Sequence, residues 1–199
     1  STLIAGLAER LRAGRIDPLV LREPGGTEIG ERIRNILLDQ ASEQMCAETE
    51  LLLMVASRAQ LVREAVRPAL DAGRLVLCDR FADASVAYQG YGRQLGAPLV
   101  DRLNEIALDG LRPDLTFLCM LPPEDGLRRL AGRRQDRLDR EARTFHDRVF
   151  AGYQALADRQ TARVATVDAA APPAVMLDAV VAHLRRWNRS LEHGLLAGL

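Results

Sequence analysis

The groups best suited to chemistry in this chain are an acid and an arginine side by side, Asp79 and Arg80, directly after the apolar run "RLVLC". A carboxylate at the end of a buried strand can hold Mg²⁺ directly or through water, and the adjacent guanidinium offers a planar fork that suits a phosphate. Alone, the pair would serve equally as a strand-terminal ion pair. In "LREPGGTEIGERIR", Gly25 and Gly26 let the backbone approach a ligand, and Arg34 follows on a helix; an ordinary strand-loop-helix turn reads the same way. "MVASRAQ" places Met54 and Arg58 four residues apart, on one helix face. "SVAYQGYGR" interleaves Ser85, Tyr88, Gln89, Tyr91 and Arg93 with small residues, a mixture able to stack on a base and read its edge, or simply a polar loop. "RRLAGRRQDRLDREARTFHDR" carries eight arginines, including Arg133 and Arg137. It reads as a solvated helix laced with acids, or as a lid closing on a transferring phosphoryl group, whose charge lies on its equatorial oxygens.

The chain opens on "STLIAGLAERLRAG". Ser-Thr ahead of a helical apolar pattern matches the inner end of a phosphate-binding loop, G-x-x-x-x-G-K-[ST], and equally a capped helix. All 27 basic residues are arginine, so no lysine elsewhere replaces the one that motif uses. His146 reads as an ordinary helix residue, and His183 and His193 receive no role.

The elements needed to position these groups follow from periodicity. Residues 2–13 form a helix, with Leu3, Leu7 and Leu11 on one face and Gly14 as its stop. "DPLVLREPGG" is a strand ending in a glycine-rich loop, and helices cover "EIGERIRNILLD" and the whole of residues 47–73. "RLVLCDR" and "PDLTFLCML" are buried strands; between them lie a loop over 81–96 and a helix over "PLVDRLNEIALDGL". A helix through "FHDRVFAGYQALADR", a strand "ARVATVDA" and a C-terminal helix complete the chain. Helices alternating with short apolar strands call for an α/β architecture, a parallel sheet flanked by helices on both faces, with ligands outside the carboxyl ends of the strands.

A length of 199 residues suits one domain, 1–199, with a lid at about 128–143. The 27 acidic side chains cancel the 27 basic ones, which argues against polymeric nucleic acid or a membrane as partner. Cys46, Cys78 and Cys119 have no metal-like spacing, which points to a reducing cytoplasm and no disulfide framework. No apolar run reaches the ~18 residues of a membrane span.

Taken in order, "REPGGT" at 22–27, "LCDRF" at 77–81, "AYQG" at 87–90, "RPDLTFL" at 112–118 and "DRLDRE" at 136–141 resemble the thymidylate kinases, over nearly the whole chain. The resemblance implies the P-loop nucleoside-monophosphate-kinase fold and transfer of the ATP γ-phosphoryl group to dTMP, with Mg²⁺. It implies that Ser1 is the loop hydroxyl on Mg²⁺, with Thr2 beside it, and that Arg34 and Arg80 hold the dTMP phosphate. Arg58 is similar to the arginine facing a thymine carbonyl, Ser85 and Gln89 to polar contacts on the base, and Tyr88 to a residue at sugar and base. Glu23 falls near the acceptor phosphate and sugar. Arg133 and Arg137 fall in an Arg-rich lid of bacterial type, which supplies the catalytic arginine. A homodimer is implied as well.

Three departures accompany the resemblance. The expected first strand and the glycine-lysine part of the P-loop do not appear ahead of Ser1. Met54 stands where a phenylalanine usually stacks on thymine, and Met120 stands where Leu-Asp usually follows "TFL". They raise an alternative from another class, a non-catalytic nucleotide-binding homologue.

Overall fold

A computed structural model describes residues 2–130, 132 and 135–190. The element order is α1 (Thr2–Ala13), β1 (Leu19–Arg22), α2 (Glu28–Leu38), α3 (Ala47–Leu61), α4 (Arg67–Asp71), β2 (Val76–Asp79), α5 (Ala82–Ser85), α6 (Ala97–Leu108), β3 (Thr116–Met120), α7 (Pro123–Leu130), α8 (Arg143–Arg159), β4 (Val164–Asp168) and α9 (Pro173–Ser190). All four strands pair in parallel, as the alternation of helices and strands demands. They form two pairs, β1–β2 and β3–β4, instead of one continuous sheet among the described residues. A cleft of about 540 Å³ separates the pairs, walled by Leu75 and Leu77 on one side and Leu115 and Phe117 on the other.

The register of each pair decides where polar groups emerge. Leu19 lies opposite Val76 and Arg22 opposite Asp79, so the carboxyl ends of β1 and β2 end together. The Glu23 N–H then donates to Asp79 O at 2.9 Å, which carries the pairing one residue further and sets Glu23 beside Arg80. α1 and α9 cover one flank: Leu7 and Leu11 pack with Val167, Val180, Val181 and Leu184. A second cluster, Leu51, Val86 and Val100, joins α3 and α6 to the segment after α5.

Two expected elements differ. The single helix over 47–73 is interrupted by a π-helical turn, Val62–Val66, ahead of Pro68. A proline ring clashes with the carbonyl four residues back and brings no N–H, and the wider turn relieves both problems. The loop expected over 81–96 is largely helical: α5 runs into a π-helical stretch, Val86–Gly92. Its glycines argue for a loop by propensity. Packing overrides that, because α8 crosses so closely that a Cβ on Gly92 would sit 2.7 Å from Phe145 and one on Gly152 would sit 2.9 Å from Tyr91.

Candidate functional site

Beside the cleft lies a pocket of about 370 Å³ that takes side chains from segments far apart in the chain. Glu23 comes from the loop after β1, Arg34 from α2, Met54 and Arg58 from α3, Arg80 from the end of β2, and Ser85, Tyr88 and Gln89 from the helical run after it. The structure thus brings together eight residues singled out in the sequence. Arg80, Phe81, Ala84 and Tyr88 line both the pocket and the cleft, so the two spaces meet at Arg80.

The loop that begins the pocket is held from two sides. Gly25 and Gly26 have φ of 122° and 81°, a region that side chains disfavour. A Cβ on Gly26 would also come within 2.8 Å of Leu61. The Gly25 N–H donates to Ser57 Oγ at 3.1 Å, and the Gly26 N–H to Glu31 Oε1 at 2.8 Å. That backbone bond, with Arg22 at the other oxygen, holds the Glu31 carboxyl below the usual carboxylate range. Thr27 caps α2, its hydroxyl accepting from the Gly30 N–H at 3.0 Å.

Arg58 is the most constrained cation, with 2% exposure. Its Nε and Nη2 donate to Glu23 Oε2 at 2.9 and 2.7 Å, Nη1 to Asn104 Oδ1 at 2.6 Å, and Nη2 also to Ser85 Oγ at 3.0 Å. Those bonds use four of five guanidinium N–H groups. Glu23 lines the pocket, and its buried Oε1 has no hydrogen-bond partner among the described residues. Burial pushes the Glu23 carboxyl up, against the pull of Arg58.

Arg34 is half-buried and donates to Pro24 O at 2.8 Å. Burial, together with the nearby cations Arg22 and Arg80, holds its pKa below the usual arginine value. Glu31 and Asp136 pull the other way without cancelling that shift. Arg80 follows β2 with a left-handed backbone, φ 66°, a strained setting for a side chain, and its guanidinium lies 5.0 Å from the Tyr88 ring centre. Asp83 pins this segment: it accepts from Arg163 Nη2 and Nη1 at 2.6 and 2.7 Å and from Thr116 Oγ1 at 3.0 Å. Asp79 ends β2 and faces the cleft, not the pocket.

Arg137 is placed differently from the other named residues. It is buried, donating through Nη2 to Glu50 Oε2 at 2.6 Å and through Nε to Leu37 O at 3.0 Å. It does not line the pocket, although its neighbours Asp136 and Leu138 do. Thr2 begins α1, exposed and outside both cavities. Ser1 and Arg133 lie outside the described residues.

The sequence reading passed over several groups of the site. His146, read as an ordinary helix residue, lines the pocket with a buried Nε2 that has no partner among the described residues. Nothing in its local sequence signals that placement. Glu50 did carry a signal: Glu50, Met54 and Arg58 follow at four-residue steps and so share one helix stripe. Asn104 became visible only through its bond to Arg58.

Comparison with known proteins agrees with this geometry. The sequence model of the family described as thymidylate kinase matches residues 1–180. A thymidylate kinase of Desulfovibrio desulfuricans is 44% identical over 204 residues, covering 96% of this chain and 94% of its own length. One from an Exiguobacterium species is 46% identical over 170 residues, covering 85% of this chain and 80% of itself. One from Alkalilimnicola ehrlichii is 44% identical over 198 residues, covering 96% and 91%. With a pocket that gathers arginines, hydroxyls and an amide at the carboxyl ends of parallel strands, and a family match over nine-tenths of its length, this chain belongs to the thymidylate kinase family.

Proposed function

We propose that the 370 Å³ pocket holds dTMP, and that the chain acts as a nucleoside-monophosphate kinase passing the ATP γ-phosphoryl group to the dTMP 5′-phosphate. The observation that carries this is the convergence of two pocket cations, Arg34 and Arg80, with a base-reading set, Arg58, Ser85 and Gln89, in one space of nucleotide size. The non-catalytic alternative is not favoured, since the relatives that cover most of the chain are named as kinases.

The acceptor phosphate is already anionic, so no strong base is required, and the task is to screen like charges and hold the groups in line. Arg34 and Arg80 fix the acceptor phosphate, with Arg80 standing where pocket and cleft meet. Glu23 orients Arg58 and offers Oε1 toward the sugar; Tyr88 supports sugar and base. Met54, half-buried at the pocket wall, takes the place of an aromatic ring with a flexible thioether. Arg133 is assigned to the transferring group and Arg137 to the lid that carries it, Arg137 acting through its anchorage on Glu50.

Among the described residues no three His, Cys, Asp or Glu side chains gather as a metal cage. Mg²⁺ takes one or two protein oxygens and the rest from phosphates and water. Asp79 and Ser1 are the proposed protein ligands, and Thr2 adjoins them at the donor phosphates. The ion would neutralise charge on the donor phosphates.

We place the protein in the cytoplasm on the strength of its unpaired cysteines, Cys46, Cys78 and Cys119. No helix among the described residues is long and apolar enough to cross a membrane. A homodimer is supported by large apolar side chains left exposed on helices that pack together: Ile29 and Ile36 on α2, Leu52 on α3 and Ile106 on α6. A coupled assay with ATP and a panel of monophosphates tests the activity, with dTMP expected as the preferred acceptor; preference for a purine monophosphate would sink it. Arg80→Ala is expected to lower kcat by about 10²–10³-fold, the cost of losing a charge that stabilises transferring phosphate.

A further inference from the structure

Glu50 is buried to 0% exposure in the first turn of α3 and gathers three side chains from two distant segments. Gln89 Nε2 donates to Oε1 at 2.8 Å, Arg93 Nη2 to Oε2 at 2.8 Å, and Arg137 Nη2 to Oε2 at 2.6 Å. Arg93 also pairs with Glu141 at 2.6 Å. Two arginines therefore face two carboxylates, and Glu50 supplies half of the compensating charge. Burial alone would raise the Glu50 carboxyl, but the bonds from Arg93, Gln89 and Arg137 outweigh it and hold the group below the usual carboxylate range. It is an ionised acceptor with no proton to give.

That fact decides the orientation of Gln89. A carboxylate can only accept, so the amide must turn its NH₂ toward Glu50. The Gln89 carbonyl oxygen then lies on the other branch of the amide, and it bonds to no described residue, while Gln89 itself lines the pocket. Ser85 Oγ already accepts from Arg58, which leaves its O–H to donate, and Arg58 keeps one free N–H. Gln89, Ser85 and Arg58 together thus offer one acceptor and two donors. This complements an imide edge, one N–H between two carbonyls, and opposes a cytosine-type edge, whose ring nitrogen would set a lone pair against the Gln89 oxygen.

We infer that Glu50 is a positioning residue that sets the base preference of the pocket by fixing the Gln89 amide, and that the same carboxylate anchors residues 136–141 through Arg137. The inference rests on the reading of this pocket as the acceptor-nucleotide site. Glu50→Gln presents both a donor and an acceptor to Gln89, so the amide is free to turn over. The equilibrium binding of dTMP and of 5-methyl-dCMP, which differ only in the base edge, gives the readout. Wild-type protein is expected to prefer dTMP, and Glu50→Gln to reduce the ratio of the two Kd values by about tenfold or more, as expected when a polar mismatch is relieved.

Glu50→Asp keeps the charge that Arg93 and Arg137 require and serves where Glu50→Gln does not fold. Its carboxylate, shorter by one methylene, withdraws from the amide, and a loss of a few-fold in the ratio is expected. Thermal melting verifies that each variant is folded. An unchanged Kd ratio in a folded variant, including equal weakening toward both nucleotides, overturns the proposal. Wild-type protein that fails to bind dTMP would instead overturn the reading of the pocket, and the two failures are told apart without measuring turnover.

Discussion

Arg58 carries the energetics of the site at the scale of single residues. Its charge and that of Glu23 are both almost fully buried, at 2% and 4% exposure. Removing one partner of such a pair leaves the other uncompensated, and the cost exceeds what the intact pair contributes. Arg58→Met is therefore expected to destabilise the fold by about 3–5 kcal/mol. Adding Glu23→Gln to it should recover a large part of that loss, and denaturant unfolding of the single and double variants checks both. Met54 and Arg58 were legible as a pair because helix periodicity places them on one face. Their partners were not, since Glu23 and Asn104 lie 35 and 46 residues away and meet Arg58 only through the fold. His146 marks the opposite limit: a lone histidine in an amphipathic helix carries no local sign that its Nε2 is buried against a pocket.

Two expectations belong to elements. The helical run after β2 and α8 approach through glycine, and a Cβ on Gly152 would meet Tyr91 at 2.9 Å and the Ala87 Cα at 3.0 Å. Gly152→Ala gains about 1 kcal/mol of helix propensity. It meets an overpacking cost of about 1–3 kcal/mol, much of it against backbone that cannot yield. The expected result is net destabilisation with a raised KM for the acceptor, because Tyr88 and Gln89 ride on the displaced run; melting and steady-state kinetics measure the two effects. The attachment of residues 136–141 depends on pH through Glu50. A carboxyl whose pKa is lowered on folding contributes its full stabilisation above the unfolded value and loses it as pH falls through the folded one. Amide protection over residues 136–141, corrected for intrinsic exchange, is expected to hold from neutral pH through the ordinary carboxylate range and to fall away only at more acidic pH, where Glu50 is protonated. Hydrogen exchange read by mass spectrometry tests that window.

For the whole molecule, the exposed apolar residues of α2, α3 and α6 form the proposed contact between two copies. Leu52 stands 55% exposed on α3, so a charge there disturbs no core but would be desolvated in a dimer. Leu52→Glu is expected to shift the protein from dimer to monomer in sedimentation velocity with little change in monomer stability. The same scale decides how the cleft and the pocket are joined. Two parallel strand pairs border the cleft, and Arg80 connects it with the nucleotide-sized pocket.

Sequence by itself determined the strands, most of the helices, the parallel pairing they imply, and the residue types that line the pocket. Those features are local: they follow from apolar period, turn residues and short motifs such as "REPGG" and "DRF". Tertiary structure alone decided that "ADASVAYQGYG" is helical, because close packing on α8 outweighs glycine's low propensity. It alone decided that Arg137 turns inward to Glu50 while Arg80 faces the open junction of pocket and cleft. Both are arginines beside an aspartate in the sequence, Asp79 and Asp136. What separates them is which carboxylates and carbonyls the fold brings within hydrogen-bond reach, a matter of contacts between residues as much as 100 positions apart.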